Sequence, residues 1–164
     1  MKKELEENFL KELELNKESL LRICSIYAID SEMKKDYFQE SLLNIWKSLP
    51  SFKEQSSLKT WMYRITINVC LGLNRNRKKT PLDFIEIVEE KNRIDLAEKT
   101  DPRLEKMLGC IAKLKTSNKV IISLHLEELP YKEIANITGL TENHVAVKIK
   151  RIKKKLLNCI NQTL

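Results

Sequence analysis

Y-K-E-I-A-N-I-T-G-L-T-E-N-H-V-A-V-K-I-K-R-I-K-K-K-L, residues 131–156, reads as two short helices joined by a turn at Gly139, with the second running into a basic tail. Ile134, Ala135 and Ile137 give the first helix an apolar side, and the small Ala135 permits close helix–helix approach. Gly139 falls where the chain must turn sharply, a place where glycine alone takes positive φ without steric cost. Thr141 is placed to cap the second helix, and Glu142 in its first turn suits the helix dipole. Val145, Ile149, Ile152 and Leu156 recur at steps of four, three and four, which makes one buried stripe. Lys148, Lys150, Arg151 and Lys154 lie off that stripe, free to reach phosphates or base edges. This is the pattern of a helix-turn-helix.

Working outward, the 164-residue chain contains three Gly and four Pro among many Leu, Ile, Lys and Glu. That composition points to an all-α protein with few tight hairpins. The net charge of +7 is spread unevenly: residues 1–79 hold 15 basic and 11 acidic groups, residues 80–102 hold 3 and 7, and residues 103–164 hold 12 and 5. Two basic lobes around an acidic stretch suggest a nucleic-acid partner met at two places. Cys24, Cys70, Cys110 and Cys159 are far apart in sequence with no C-x-x-C pair, so reduced, mostly buried thiols are expected. Neither a signal peptide nor a membrane-length apolar run is found, and a cytoplasmic location is expected.

Helical periodicity places a helix over residues 5–29, with Phe9, Leu13, Leu20, Ile23 and Tyr27 inward. A second covers residues 32–49, with Phe38, Leu42, Ile45, Trp46 and Leu49 on one side. After a polar loop, Phe52 to Ser57, a third runs from Leu58 to about Lys78, and its expected apolar stripe is Trp61, Ile65, Val69 and Leu73 or a neighbour. Regular helix resumes near Arg103, with Leu104, Met107, Leu108, Ile111 and Leu114 at helical spacing, and residues 117–128 form another. Two small helical domains follow, residues 1–79 and 103–164, joined by an acidic linker over 80–102.

Asp36, Gln39 and Glu40 sit at i, i+3 and i+4 and share a face of the second helix, a polar cluster suited to docking on a basic helical partner or simply to solvation. Thr60, Arg64, Asn68, Leu71 and Arg75 follow one face of the third helix beside the small polar loop. Such a combination of amides, positive charge and a pocket suits an extruded base and its phosphates. No glycine-rich phosphate loop, nucleophile elbow or H-E-x-x-H motif occurs, His125 and His144 are isolated, and neither enzymatic activity, cofactor nor metal is indicated.

Taken in order, D-Y-F-Q-E-S-L-L-N-I-W-K-S, S-L-K-T-W-M-Y-R-I-T-I-N-V and Y-K-E-I-A-N-I-T-G-L-T-E-N-H-V resemble the extracytoplasmic-function (ECF) group of bacterial RNA polymerase sigma factors. The resemblance covers nearly the whole chain and matches the layout of sigma domain 2, linker and sigma domain 4. The I-K-R-I-K-K-K-L ending is similar to members from the Bacteroidetes lineage. The resemblance implies that Asp36, Gln39 and Glu40 dock on the β′ clamp helices of core RNA polymerase. It implies that the loop with Ser56 and Ser57, together with Lys59, Thr60, Tyr63, Arg64 and Asn68, melts the −10 element and holds a flipped base. Arg75, Arg77, Lys78 and Lys79 match a basic end on nearby backbone. Thr141, Asn143, His144, Val147, Lys148 and Arg151 match the face that reads the −35 element, with Tyr131 and Lys132 on phosphate. Promoter DNA, the polymerase β flap and a membrane-bound anti-sigma factor are the further partners implied, with the linker along the RNA-exit path.

Two departures stand out. Ala146-Val147 replace the Lys-Ser that many members carry in the recognition helix, leaving an apolar pair that can meet thymine methyl groups. Lys34-Lys35 precede Asp36 where many members are acidic. The alternative reading is a stand-alone helix-turn-helix transcriptional regulator, which needs no polymerase-docking face and no single-strand-capture loop.

Overall fold

The computed structural model describes residues 2–77 and 101–162, which fall in two compact units, each taken by itself. Residues 80–100 of the expected linker, together with Lys78 and Lys79, lie outside the described residues, while Asp101 and Pro102 cap and open the helix that follows. All regular structure among the described residues is helical. The N-terminal unit contains α1 (Lys2–Tyr27), α2 (Ser31–Ser48), a 3-10 turn (Leu49–Ser51) and α3 (Leu58–Arg77). The C-terminal unit contains α4 (Pro102–Ala112), α5 (Thr116–Leu126), α6 (Tyr131–Thr138) and α7 (Glu142–Gln162).

In the N-terminal unit the three helices pack pairwise on one another. Asp30 starts α2 by accepting a hydrogen bond from Met33 N at 2.7 Å, which satisfies one of the orphan amides of the first turn. Phe9, Leu20 and Ile23 of α1, Tyr37 and Ile45 of α2, and Met62 and Ile67 of α3 form the core. Each such side chain contributes about 1.5–3 kcal/mol on leaving water. Ser41 and Thr66 are fully buried too, and their hydroxyls donate back to Tyr37 O at 2.7 Å and Met62 O at 2.9 Å. A small polar side chain that bonds its own helix leaves no unsatisfied group at a close helix crossing.

Three sequence expectations are corrected here. The inward stripe of α3 is Leu58, Met62, Thr66 and Cys70, flanked by Tyr63 and Ile67, whereas Trp61, Ile65, Val69 and Leu73 are only half-buried. Trp46 of α2 is 51% exposed, its ring resting against Phe9 with centroids 5.9 Å apart. The cysteines, separate in sequence, meet in space. Cys24 and Cys70 bring their sulfurs to 3.9 Å in the core between α1 and α3, and Cys110 and Cys159 are joined by a disulfide rather than being reduced thiols. The Cys70 thiol is held well above its ordinary range by its hydrogen bond to Cys24 and by burial.

In the C-terminal unit α7 crosses α4, α5 and α6. Its stripe of Val145, Ile149, Ile152 and Leu156 is buried throughout, against Ile111, Ile121, Ile122, Leu124, Ile134 and Ala135. Gly139 ends α6 at φ 78°, and its N–H donates to Ala135 O at 2.8 Å, the left-handed cap that lets the chain reverse without a Cβ clash. Thr141 Oγ1 then accepts from His144 N at 3.1 Å and caps α7. Leu104 of α4 is 46% exposed, while Ile111 is buried.

Candidate nucleic-acid interface

Asp36, Gln39 and Glu40 are all exposed on α2, clear of the core stripe formed by Met33, Tyr37, Ser41 and Ile45. Glu40 is steadied by Asn44, whose Nδ2 donates to Glu40 O at 2.8 Å and reaches Glu40 Oε1 at 3.4 Å. The same flank continues into two apolar side chains, Leu43, 46% exposed, and Trp46. Sequence reading missed Leu43 and assigned Trp46 to the core, although Leu43 stands seven residues after Asp36 and so shares its face. Of these side chains the exposed Trp46 is the type enriched at protein interfaces.

The loop after the 3-10 turn carries Lys53 to Ser57 exposed, with Glu54 at φ 57°. Phe52 anchors it by packing on Trp61, centroids 5.0 Å apart. Ser57 spends its hydroxyl on capping α3, accepting from Thr60 N at 3.1 Å and donating to Thr60 Oγ1 at 3.0 Å. Ser56 donates to Ser57 O at 3.3 Å. On α3 itself Arg64, Asn68 and Arg75 are exposed, and Lys59, half-buried, lies with its ammonium 5.8 Å from the Tyr63 ring centroid.

Thr60 and Tyr63 do not belong to this exposed face. Thr60 is 4% and Tyr63 1% exposed, and the Tyr63 hydroxyl donates inward to Asn16 Oδ1 at 3.3 Å. Both shape the site from beneath: Thr60 holds the capped first turn of α3, and Tyr63 supports Lys59. Between α2 and α3 runs an open groove of about 400 Å³, floored by Ile65, Val69 and Leu73 and rimmed by Glu40, Asn44 and Asn68. Three of the four apolar residues expected inward, Ile65, Val69 and Leu73, are therefore the floor of a surface cleft that reaches from Glu40 to Asn68. At the end of α3, Arg77 lies 5.8 Å from the centroid of the Tyr37 ring, and the Tyr37 hydroxyl donates to Asn74 Oδ1. Burial pushes the Tyr37 phenol up to about 12, against the opposing charge of Arg77.

In the C-terminal unit Asn143, His144, Val147 and Arg151 are exposed on α7 and Lys148 is half-buried. They share one face, with Val147 39% exposed. Ala146, half-buried, sits about 100° around the helix from Val147, so Val147 alone of the apolar pair is presented. Tyr131 and Lys132 are exposed at the start of α6, and the Tyr131 ring lies 6.0 Å from that of His125. Burial and the charge of Lys153 hold the His125 imidazole below its ordinary value. The positive face continues through Lys154, expected off the stripe, to Lys155, which sequence reading did not single out.

Residues 13–80 match the family profile for sigma-70 region 2, and residues 104–156 match that for sigma-70 region 4. The RNA polymerase sigma factor SigV of Bacillus subtilis is 27% identical over 142 residues, covering 85% of this chain and 82% of that protein. The ECF RNA polymerase sigma factor SigG of Mycobacterium tuberculosis is 44% identical over 48 residues, which span 29% of this chain and only 13% of that protein. Among solved structures, the sigma factor RpoE in its complex with the anti-sigma factor NepR from Bartonella quintana shares the fold with TM-score 0.72 at 19% identity, over 94% of this chain and 97% of that one. CnrH, solved with the cytosolic domain of CnrY, matches with TM-score 0.67 at 20% identity, over 96% of this chain and 90% of that one. With regions 2 and 4 in this order over most of its length, the chain belongs to the ECF RNA polymerase sigma factors.

Proposed function

We propose that the protein is a dissociable initiation factor that binds core RNA polymerase, directs it to promoters through −35 and −10 elements, and helps melt the DNA; it is not itself a catalyst. The observation that carries this reading is the pairing of two different exposed faces on one helical unit, the Asp36–Gln39–Glu40 triad and the Lys53–Ser57 loop beside Arg64 and Asn68. A simple helix-turn-helix regulator has use for neither.

In this reading the triad, with Leu43 and Trp46, seats on the β′ clamp helices, and the C-terminal unit sits by the β flap. Ser56, Ser57, Lys59, Arg64, Asn68 and Arg75 serve the −10 strand. Asn143, His144, Val147, Lys148 and Arg151 read the −35 bases, with Tyr131 and Lys132 on phosphate and Thr141 fixing the start of the helix. The relative RpoE was solved bound to an anti-sigma factor, which supports such a protein as a further partner, membrane-bound and facing the cytoplasm where this chain would act. The I-K-R-I-K-K-K-L tail supports a place beside Bacteroidetes members.

Run-off transcription of genomic DNA with purified core polymerase tests the proposal. Discrete promoter-initiated transcripts dependent on the added protein are expected. Each unit alone offers few base contacts, and fixing both on the polymerase makes two weak sites one strong one. If the free protein protected a full promoter as tightly as the holoenzyme, the stand-alone regulator would be the better reading.

A further inference from the structure

Two cysteine pairs meet in this protein, and they differ in what can reach them. Cys24 and Cys70 are 0% exposed in the N-terminal core, where a thiol is inert. Cys110 is buried too, but its disulfide partner Cys159 is half-buried near the end of α7, with Leu157, Asn158 and Asn161 exposed around it. A reductant therefore meets one sulfur of this bond with the fold intact. The charges nearby favour the exchange. Lys106 and Lys113 stand four residues before and three after Cys110, and Lys155 stands four before Cys159. No residue three or four positions from either cysteine is acidic. Such spacings make neighbours on a helix, and a cation beside a sulfur stabilises the thiolate, the form that attacks and leaves.

The bond also carries much of the attachment of α4. Of the eleven residues of α4 only Cys110 and Ile111 are buried. On α7 the buried stripe ends at Leu156, and Leu157 to Gln162 add no buried side chain. With the bond open, Ile111 is the one buried side chain of α4 besides the freed thiol. The unit that depends on it, residues 101–162 as described, is of a size at which a single core needs a staple.

The proposed place of action, beside the polymerase in the cytoplasm, is one where persistent disulfides are rare and those that form are mostly catalytic or redox-sensing. Resting on that reading, we propose that Cys110–Cys159 is a reversible thiol–disulfide exchange site, opened by a dithiol reductant, whose closed form is the one competent at the −35 element. A thiolate of the reductant bonds to Cys159 Sγ as the bond to Cys110 breaks. The electron pair of that bond stays on Cys110 Sγ, which takes a proton. The second thiol of the reductant then displaces Cys159 as a thiolate, which is protonated in turn. The reductant leaves as a disulfide, oxidised by two electrons, and the protein holds two thiols. In this form α4 comes away from the end of α7, and the helix-turn-helix unit populates its folded state less.

The test equilibrates the full chain in buffers of stepped ratio of reduced to oxidised dithiothreitol, without denaturant. Alkylation and intact mass give the fraction of Cys110–Cys159 opened, hydrogen exchange gives the protection of α4, and transcription with core polymerase gives initiation with and without a −35 element. One reversible transition is expected. Across it the α4 amides should lose protection by about tenfold or more, −35-dependent initiation should fall by about fivefold or more, and both should recover on reoxidation. Cys110→Ser/Cys159→Ser should stay at the reduced level at every ratio, and Cys24→Ser/Cys70→Ser should follow the wild type. A bond that opens only in denaturant would overturn the proposal. So would complete opening with α4 protection and initiation unchanged. If reduction loosens α4 but neither form depends on a −35 element, the exchange site stands and the −35 reading falls.

Discussion

The Tyr63 hydroxyl of α3 donates to Asn16 Oδ1 of α1 across 3.3 Å, and Asn16 in turn donates to Glu12 O at 2.7 Å. Tyr63 and Asn16 are buried, whereas Arg64 and Asn68 of the same α3 are exposed. This separates two neighbours in sequence into different roles. Tyr63→Phe should lower the stability of the N-terminal unit by about 1 kcal/mol, since it leaves Asn16 Oδ1 without its donor, and should spare promoter opening well below the melting temperature. Arg64→Ala should do the reverse, with melting unchanged and permanganate reactivity of −10 thymines reduced. Equal opening defects in both would return Tyr63 to the DNA surface.

The Asp36–Gln39–Glu40 face allows a similar separation of fold from binding. Asp36, Gln39 and Glu40 are exposed, and the core of α2 lies on other positions. Their triple alanine variant should keep its helicity and melt within about 0.5 kcal/mol of the parent, as surface changes do. Co-purification with core polymerase should fall sharply. Leu43→Ser alone should weaken assembly as well, because it removes the apolar border of the same face. Normal assembly of the triple variant would make this a solvated face.

The Cys110–Cys159 disulfide ties α4 to the last turns of α7 across 49 residues. Closing a loop of that length restricts the unfolded chain by up to about 4 kcal/mol in the chain-entropy account. Denaturant unfolding of the C-terminal unit should therefore shift to lower midpoint on adding a thiol reductant, by that amount or less. Cys110→Ser/Cys159→Ser should show no response to reductant. The N-terminal unit, whose Cys24 and Cys70 are free and buried, should be indifferent in both proteins.

His125 makes the C-terminal unit sensitive to acid. Its imidazole is held below the ordinary 6.5 by burial and by Lys153, so the folded state favours the neutral ring and the unfolded chain binds the proton more readily. The resulting stability is complete above about pH 6.5 and is lost as pH falls below it toward the folded value. Melting of this unit should decline over that window, and His125→Gln should flatten the decline. A slope of opposite sign would mean that the ring is protonated in the fold.

How much of this was legible in sequence depended on how two-sided each helix is. In α7 the stripe from Val145 to Leu156 stands against a run of lysines, so only one rotation buries it, and the stripe, the Gly139 turn and the Thr141 cap were all readable. In α3 apolar residues occur on most sides: Leu58, Trp61, Met62, Ile65, Ile67, Val69 and Leu71 leave two adjacent stripes that fit a helical period about equally well. Which one faces inward is decided by where α1 lies, through contacts such as Tyr63 with Asn16, and by Thr66, whose hydroxyl is satisfied within its own turn. The cysteine pairs were invisible for the same reason. Separations of 46 and 49 residues carry no local signal, and only the crossing of α1 with α3 and of α4 with α7 brings the sulfurs together.

The bond between Cys110 and Cys159 also changes the topology of the DNA-reading unit. The helix-turn-helix becomes part of a closed ring, and the open chain enters at α4 and leaves just past Cys159. A single protease cut inside that ring, for example in the Glu127–Pro130 corner where Glu128 is exposed at φ 63°, produces no fragments. The nicked molecule stays one covalent particle, heavier by one water, and comes apart into two pieces only after a thiol is added.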